Sequence, residues 1–251
     1  MTSNWPKIIL NNFGEAAPHY NAEAELQSTF AWRLAKECSK ESIPQGIWVD
    51  LGAGTGLLAE ALEALNPNKS VIRVDGSPQM LAQNRSTSQT QLCDLNIGLP
   101  TWPHKPALLA SNFALHWLNQ PANRIAEWFT ALTPGGWLAI ALPVHGSFEE
   151  WHVASRNSGV RCTALHLPST EALLQGLSMK NVRYQELQSF TQTASKVSSL
   201  LKPMINIGAH STPKLGLSVG DWRRLQRSWP YCTENGAVRL TWLIQLLLVQ
   251  R

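Results

Sequence analysis

Three glycines at alternate positions, Gly52, Gly54 and Gly56, follow Trp48-Val49-Asp50-Leu51 and precede Leu57-Leu58-Ala59-Glu60-Ala61-Leu62-Glu63-Ala64-Leu65. An apolar start with β propensity, a glycine loop and a run of helix formers read as strand, tight turn and helix. Glycine accepts positive φ and lets a ligand approach the main chain without meeting a Cβ. The helix start behind it offers free N–H groups and a positive dipole end. The spacing is not G-x-x-x-x-G-K-[ST], and Leu57 stands where the third glycine of G-x-G-x-x-G belongs. Asp75 lies about twenty residues beyond the loop, where a carboxylate can accept both hydroxyls of a ribose. It also has a plainer reading, as a cap or turn residue before Ser77-Pro78. Asn112 and His116 follow a further strand, Leu108 to Ser111, at the end where open parallel sheets hold ligands. His116 has the alternative of packing beside Trp117. Tyr20 closes the aromatic stretch Phe13-Gly14-Glu15-Ala16-Ala17-Pro18-His19-Tyr20, too irregular for a helix; it suits a lid over a ligand or an anchor for the helix after it.

The elements that must position these residues follow from periodicity. Leu26, Phe30, Leu34 and Cys38, at four-residue steps, predict an amphipathic helix over 21–38. Val71-Ile72-Arg73-Val74 is the second strand, with Ser77 as N-cap and Pro78 at the first helical position. Gln91 to Asp94 predicts a short third strand ending in an acid. Gln120-Pro121 opens a helix with Ile125, Trp128, Phe129 and Leu132 on its apolar side. Thr133-Pro134-Gly135-Gly136 is a turn before the fifth strand, Trp137 to Leu142. Strands over 182–190 and 240–249 complete a doubly wound, mostly parallel, seven-stranded α/β sheet with a final antiparallel hairpin. One domain is expected over 1–251, with an N-terminal lid and helix over 1–38. Looser helical stretches at 146–181 and 191–235 are expected as inserted segments capping the C-terminal edge of the sheet.

Composition narrows the class. The 251 residues carry a formal net charge of +4, with 44% hydrophobic and 15% charged side chains, as in a globular chain with a real core. No apolar stretch has the length of a membrane span, and 1–7 lacks the layout of a secretion signal. Cys38, Cys93, Cys162 and Cys232 are scattered without C-x-x-C spacing, so neither metal nor disulfides are expected. A cytoplasmic protein is the expectation. No Lys/Arg run of the nucleic-acid kind occurs, so neither nucleic acid nor membrane is expected as a partner; mild basicity suits an acidic one.

Asp50-Leu51-Gly52-Ala53-Gly54-Thr55-Gly56 resembles motif I of the class I methyltransferases, which bind S-adenosylmethionine. Further stretches resemble one family, the malonyl-acyl-carrier-protein O-methyltransferases of biotin synthesis. They are Phe13-Gly14-x-Ala16-Ala17-x-x-Tyr20, Leu26-Gln27, Asp75-x-Ser77-Pro78-x-Met80-Leu81, Ser111-Asn112-x-Ala114-x-x-Trp117 and Leu132-x-Pro134-Gly135-Gly136. Gly146-Ser147-x-x-Glu150, Leu200-Leu201-Lys202, Leu225-Gln226-x-x-Trp229-Pro230 and Leu240-Thr241 continue it to the end of the chain. Two segments depart from the pattern: Pro106-Ala107-Leu108-Leu109 before the fourth strand, and Pro203-Met204-Ile205-Asn206 after Lys202.

The resemblance implies a Rossmann-like fold with a helical lid and S-adenosylmethionine as cofactor. It implies cofactor contacts at Gln27, Asp50, Gly52, Ala53, Gly54, Gly56, Asp75, Gly76, Met80, Asp94, Leu95 and Asn112, with Asp94 meeting the adenine amino group. Asp94 is equally an ordinary strand-end acid. The implied reaction methylates the free carboxylate of a malonyl thioester on an acyl carrier protein. Tyr20, Asn112 and His116 are the candidate acceptor-side residues. A carboxylate is ionised at neutral pH and needs no general base, which agrees with the lack of a Ser-His-Asp or paired-carboxylate set. Another small carboxylate or nucleophile, or a non-catalytic binding protein on the same fold, are the competing expectations.

Overall fold

The computed structural model describes residues 5–209, 216–230 and 236–251. Cys232 and parts of the expected 1–38 and 191–235 segments lie outside them. In chain order the elements are α1 (Trp5–Ala16), α2 (Tyr20–Glu23), α3 (Glu25–Cys38), β1 (Trp48–Leu51), α4 (Leu57–Leu65), β2 (Val71–Asp75), α5 (Pro78–Leu81), β3 (Thr90–Leu92) and β4 (Leu108–Asn112). Then follow α6 (Pro121–Ala131), β5 (Trp137–Pro143), α7 (Glu149–Ser158), α8 (Thr170–Leu174), β6 (Val182–Ala194), α9 (Val197–Asn206), α10 (Val219–Arg227) and β7 (Val238–Gln250).

The seven strands lie in the order β3-β2-β1-β4-β5-β7-β6. The first five are parallel, and β7 runs antiparallel between β5 and β6. Every residue of β1 and β5 is buried, as strands covered on both faces must be. Edge strand β6 instead alternates between half-buried and exposed positions. One apolar cluster joins α3 and α4 to the sheet through Phe30, Leu34, Leu58 and Leu62 and continues under the cap to Trp229 and Trp242. The other packs α6 and α8 on the opposite face through Ile125, Trp128 and Leu173. The sheet is therefore doubly wound, as the strand–helix alternation predicts.

Four local expectations are corrected. Phe13 to Ala16 is helical, the last turn of α1, because Gly14 is buried where a Cβ would meet Gln79 Oε1 at 3.0 Å. Glycine is there for close packing, and Pro18 lies within the short 3₁₀ turn, Ala17–His19, that follows. The 21–38 stripe is broken at fully buried Ala24, which leaves helical geometry at φ −90°, ψ 37°. The third strand ends at Leu92, and the Asp94 carboxylate accepts from the Asn96 N–H at 2.9 Å in a turn. The stretch from 191 also begins as strand, since Thr191 to Ala194 still pairs with β7.

The Gly146-Ser147-x-x-Glu150 block ties the cap to the sheet. Ser147 Oγ accepts from the Leu243 N–H at 2.8 Å, and Glu150 accepts from the Thr241 N–H and hydroxyl at 3.0 and 2.7 Å and from Arg239 at 3.0 Å. Gly146 has φ +96°, and a Cβ on it would lie 2.7 Å from Leu243. This staple fixes Phe148 against Trp242, ring centroids 4.5 Å apart and edge to face, an arrangement aromatic pairs favour.

Candidate functional site

At the C-terminal end of β1 the chain turns back on itself. The N–H groups of Gly52 and Ala53 both donate to the Val74 carbonyl, at 2.8 and 3.0 Å, locking the loop to the end of β2. Gly52 has φ +74°, and a Cβ there would lie 2.1 Å from that of Ala114. Only glycine fits. The Gly54 N–H donates to Asp75 Oδ2 and the Ser77 N–H to Oδ1, both at 2.8 Å. Asp75 is thus both the turn residue and a wall of the cavity. Burial raises its carboxyl above the ordinary carboxylate range, and the N–H donors of Ser77 and Gly54 pull against that.

Asp50 is almost wholly buried beneath the loop. Its Oδ2 accepts from the Ala59 N–H at 3.0 Å, while Oδ1 has no partner. Burial pushes its pKa up to about 7, opposed by the Ala59 N–H and the Arg73 guanidinium. A buried acceptor without a donor is costly, and here it borders a cavity that a cationic or N–H-bearing ligand group could enter.

The cavity holds about 900 Å³, its solvent-open mouth included. It brings together Gln27, Asp50, Gly52, Ala53, Gly54, Asp75, Gly76, Met80, Asp94, Leu95 and Asn112. Gly56 is the exception among the expected cofactor residues. It stands at the start of α4 with φ +92°, and a Cβ there would lie 2.2 Å from Asn84 Oδ1 and 3.3 Å from Arg73 Nε. Its place is fixed by backbone geometry and by neighbours behind the loop.

The sequence predicts an N-terminal lid over 1–38 but not the helix α1. Pro6, Ile9, Leu10 and Phe13 of α1 close the cavity, with Leu10 so near Gly76 that a Cβ there would meet it at 2.8 Å. Trp5, Ile9 and Phe13 stand at four-residue steps, the signal that could have shown this helix. Two further ties were also missed. Thr55 Oγ1 donates to Asn21 Oδ1 at 2.6 Å, joining loop to cover, and Asn84 Nδ2 donates to the Gly54 carbonyl at 3.0 Å.

A second cavity of about 1230 Å³, mouth included, lies under the cap. Phe13, Tyr20, Gln27, Phe113 and Trp117 line both cavities and form a collar between them. Phe13 meets Trp117 edge to face at 5.5 Å and Tyr20 at 6.4 Å. Burial raises the Tyr20 phenol, with the Asp75 charge adding to the effect, so it stays a neutral donor. Asn112 borders the first cavity alone. Its Nδ2 donates to the Gln27 carbonyl at 2.9 Å, which holds α3 to β4, and its Oδ1 is buried without a partner. His116 borders the second cavity alone, 5.0 Å from Trp117, its Nδ1 unpartnered. Burial holds its pKa down at about 3, so the ring is neutral and a weak base. Tyr20 therefore stands at the collar, and Asn112 and His116 lie on either side of it rather than together on an opposite wall.

The glycine cradle, the open acceptor of Asp50 and the paired oxygens of Asp75 suit a nucleoside that carries a cationic amino-acid tail. Residues 49–140 match the family described as methyltransferase domain. Fold, cradle and match together make the chain a class I S-adenosylmethionine-dependent methyltransferase. Over 97% of its length it is 26% identical to the malonyl-[acyl-carrier protein] O-methyltransferase of Alcanivorax borkumensis, covering 86% of that protein. It is 38% identical to the trans-aconitate 2-methyltransferase of Mycobacterium ulcerans over 104 residues, 40% of this chain and 37% of that one. Among solved structures, a Bacillus halodurans methyltransferase candidate aligns with TM-score 0.59 at 14% identity, over 86% of this chain and 97% of that one. No helix of the described residues is long and apolar enough to cross a membrane.

Proposed function

We propose that this methyltransferase esterifies an acceptor carboxylate presented from the second cavity, and that its substrate is the malonyl thioester of an acyl carrier protein. The observation that carries the carboxylate is the absence of a competent base at the collar among the described residues. Phe13, Tyr20, Gln27, Phe113 and Trp117 offer none, and His116 beyond them is held at about 3. An alcohol or a protonated amine would have to lose a proton there; a carboxylate arrives without one.

In the first cavity Asp75 would hold the ribose hydroxyls, Asp50 the charged amino end and Asp94 the base. Bound there, S-adenosylmethionine supplies an electrophilic methyl group on a sulfonium. The chain's own part is to align and to dry. Tyr20 and Gln27 offer a hydroxyl and an amide to orient the carboxylate, and α1 with the cap keeps water out.

The near full-length likeness to a malonyl carrier protein methyltransferase supports the finer reading. So does charge: residues 195–230 hold Lys196, Lys202, Lys214, Arg223, Arg224 and Arg227 against Asp221 alone. Lys202, Arg223 and Arg227 are exposed on helices whose Met204 and Trp222 line the second cavity. An acidic carrier would meet that face. The methyl ester would mask a charge and let the acyl chain be lengthened, the place such a step has in biotin synthesis. The trans-aconitate likeness favours a free polycarboxylate instead, but no ionised side chain lines the second cavity among the described residues to receive further carboxylates.

The test offers methyl-labelled cofactor with malonyl carrier protein, malonyl coenzyme A, free malonate and trans-aconitate. Alkali-labile label on the malonyl carrier protein is expected. Label on trans-aconitate with none on either malonyl thioester would refute the reading.

A further inference from the structure

We infer that the second cavity is also a site for free carboxylic acids with an apolar tail of about six to ten carbons, and that the protein methylates them. The inference rests on the donor and acceptor assignment proposed above, and it extends the acceptor class beyond malonyl thioesters.

Its basis is the wall. Past the collar the cavity is faced by Phe148, Trp151, Leu167, Leu201, Met204 and Trp242, with no ionised side chain among the described residues. At its mouth Ile205 stands 55% exposed, carrying the apolar path to the surface. A malonyl unit brings only one methylene to this surface. A hydrocarbon tail removes water from both sides, worth about three- to fourfold in affinity for each methylene buried.

The cavity is also built to stay open. Phe113 and Phe148 flank Trp242 at 6.4 and 4.5 Å, and both have left-handed backbone, φ +55° and +64°. Such conformations cost energy and persist only when held. The Phe113 N–H donates to the Ala141 carbonyl at 2.8 Å and the Phe148 N–H to the Thr241 carbonyl at 2.7 Å. These rings are pinned as walls, not left to collapse into the gap.

The chemistry balances without a further reactant. A carboxylate oxygen forms a bond to the methyl carbon as the sulfur–carbon bond breaks, and the electron pair of that bond stays on sulfur. Anion and sulfonium become neutral ester and thioether, and no proton moves.

Titration of the full chain, saturated with S-adenosylhomocysteine, with butyrate, hexanoate, octanoate and decanoate reads the site without turnover. Affinity should rise about three- to fourfold per methylene, and labelled methyl should appear on decanoate more than on butyrate when the methyl donor is supplied. Affinity independent of tail length would overturn the inference, as would tail-dependent binding without methyl transfer. Malonyl carrier protein assayed in parallel separates the two claims. Its methylation with no acid binding sinks this inference alone, whereas decanoate methylation without malonyl methylation sinks the carrier reading alone.

Discussion

The two cavities proposed for methyl donor and acceptor are built by different means. The first is main chain and three acids: the Gly52 and Ala53 N–H groups fixed on Val74, Asp75 holding Gly54 and Ser77, and Asp50 and Asp94 beside them. The second is side chains: rings from α1 and the β4 turn at the collar, and from the α7 start and β7 beyond it. A site made of backbone tolerates little change, because a Cβ at Gly52 would collide at 2.1 Å. One made of rings can change its acceptor by exchanging them while the sheet stays the same. The relatives it resembles are named for different acceptors, a malonyl carrier protein and trans-aconitate.

The largest effects should come from the glycines, and two of them should part company. Gly56→Ala places a Cβ on Asn84 and Arg73, behind the loop, and should cost about 2–3 kcal/mol of stability in denaturant melts. Cofactor affinity of the folded fraction should survive. Gly54→Ala has only Met80 Sδ within reach, at 3.9 Å, yet borders the cavity and should lose affinity more than stability. The reverse pattern would break the division between loop support and ligand cradle. Asp75→Ala should weaken cofactor binding by roughly 1.5–3 kcal/mol in calorimetry, and unchanged affinity would remove Asp75 from the donor side.

How much of this could be read from the sequence follows the same line. The glycine loop, the place of Asp75 at the end of β2, the Ser77 cap and the strand–helix alternation were legible because backbone chemistry leaves local signatures. Gly56 misled, since its spacing looks like the other two while its need is φ +92° against Asn84. Helix α1 was hidden by Gly14 and Pro18, which break helical patterns locally although Gly14 packs within one. The collar was out of reach: Tyr20, Phe113 and Trp117 meet only through tertiary packing, and nothing in their spacing says which ring faces which cavity. Glu150 matched a family block without a visible reason, which is its grip on Thr241 and Arg239.

Smaller effects sharpen the account. Asp50 has a pKa raised to about 7 by burial, and a cationic ligand group favours its ionised form. Binding therefore releases a proton below pH 7, and cofactor affinity should rise about tenfold from pH 6 to pH 8 and then level off. An affinity flat across that range would separate Asp50 from the ligand. Tyr20→Phe keeps the ring of the collar and loses one hydroxyl, so kcat and kcat/KM should fall together by about fivefold with cofactor affinity retained. Turnover equal to the parent chain would leave Tyr20 as packing only.

The central claim is that the acceptor arrives already ionised and that no side chain takes its proton. The most direct test is kcat against pH from 6 to 9 with malonyl carrier protein and cofactor both saturating. Saturation removes the Asp50 effect on binding, so the profile should be flat, the acceptor carboxylate being ionised throughout. A limb rising through a single ionisation between pH 6 and 8, lost on His116→Gln, would contradict it and make His116 the base that its burial argues against.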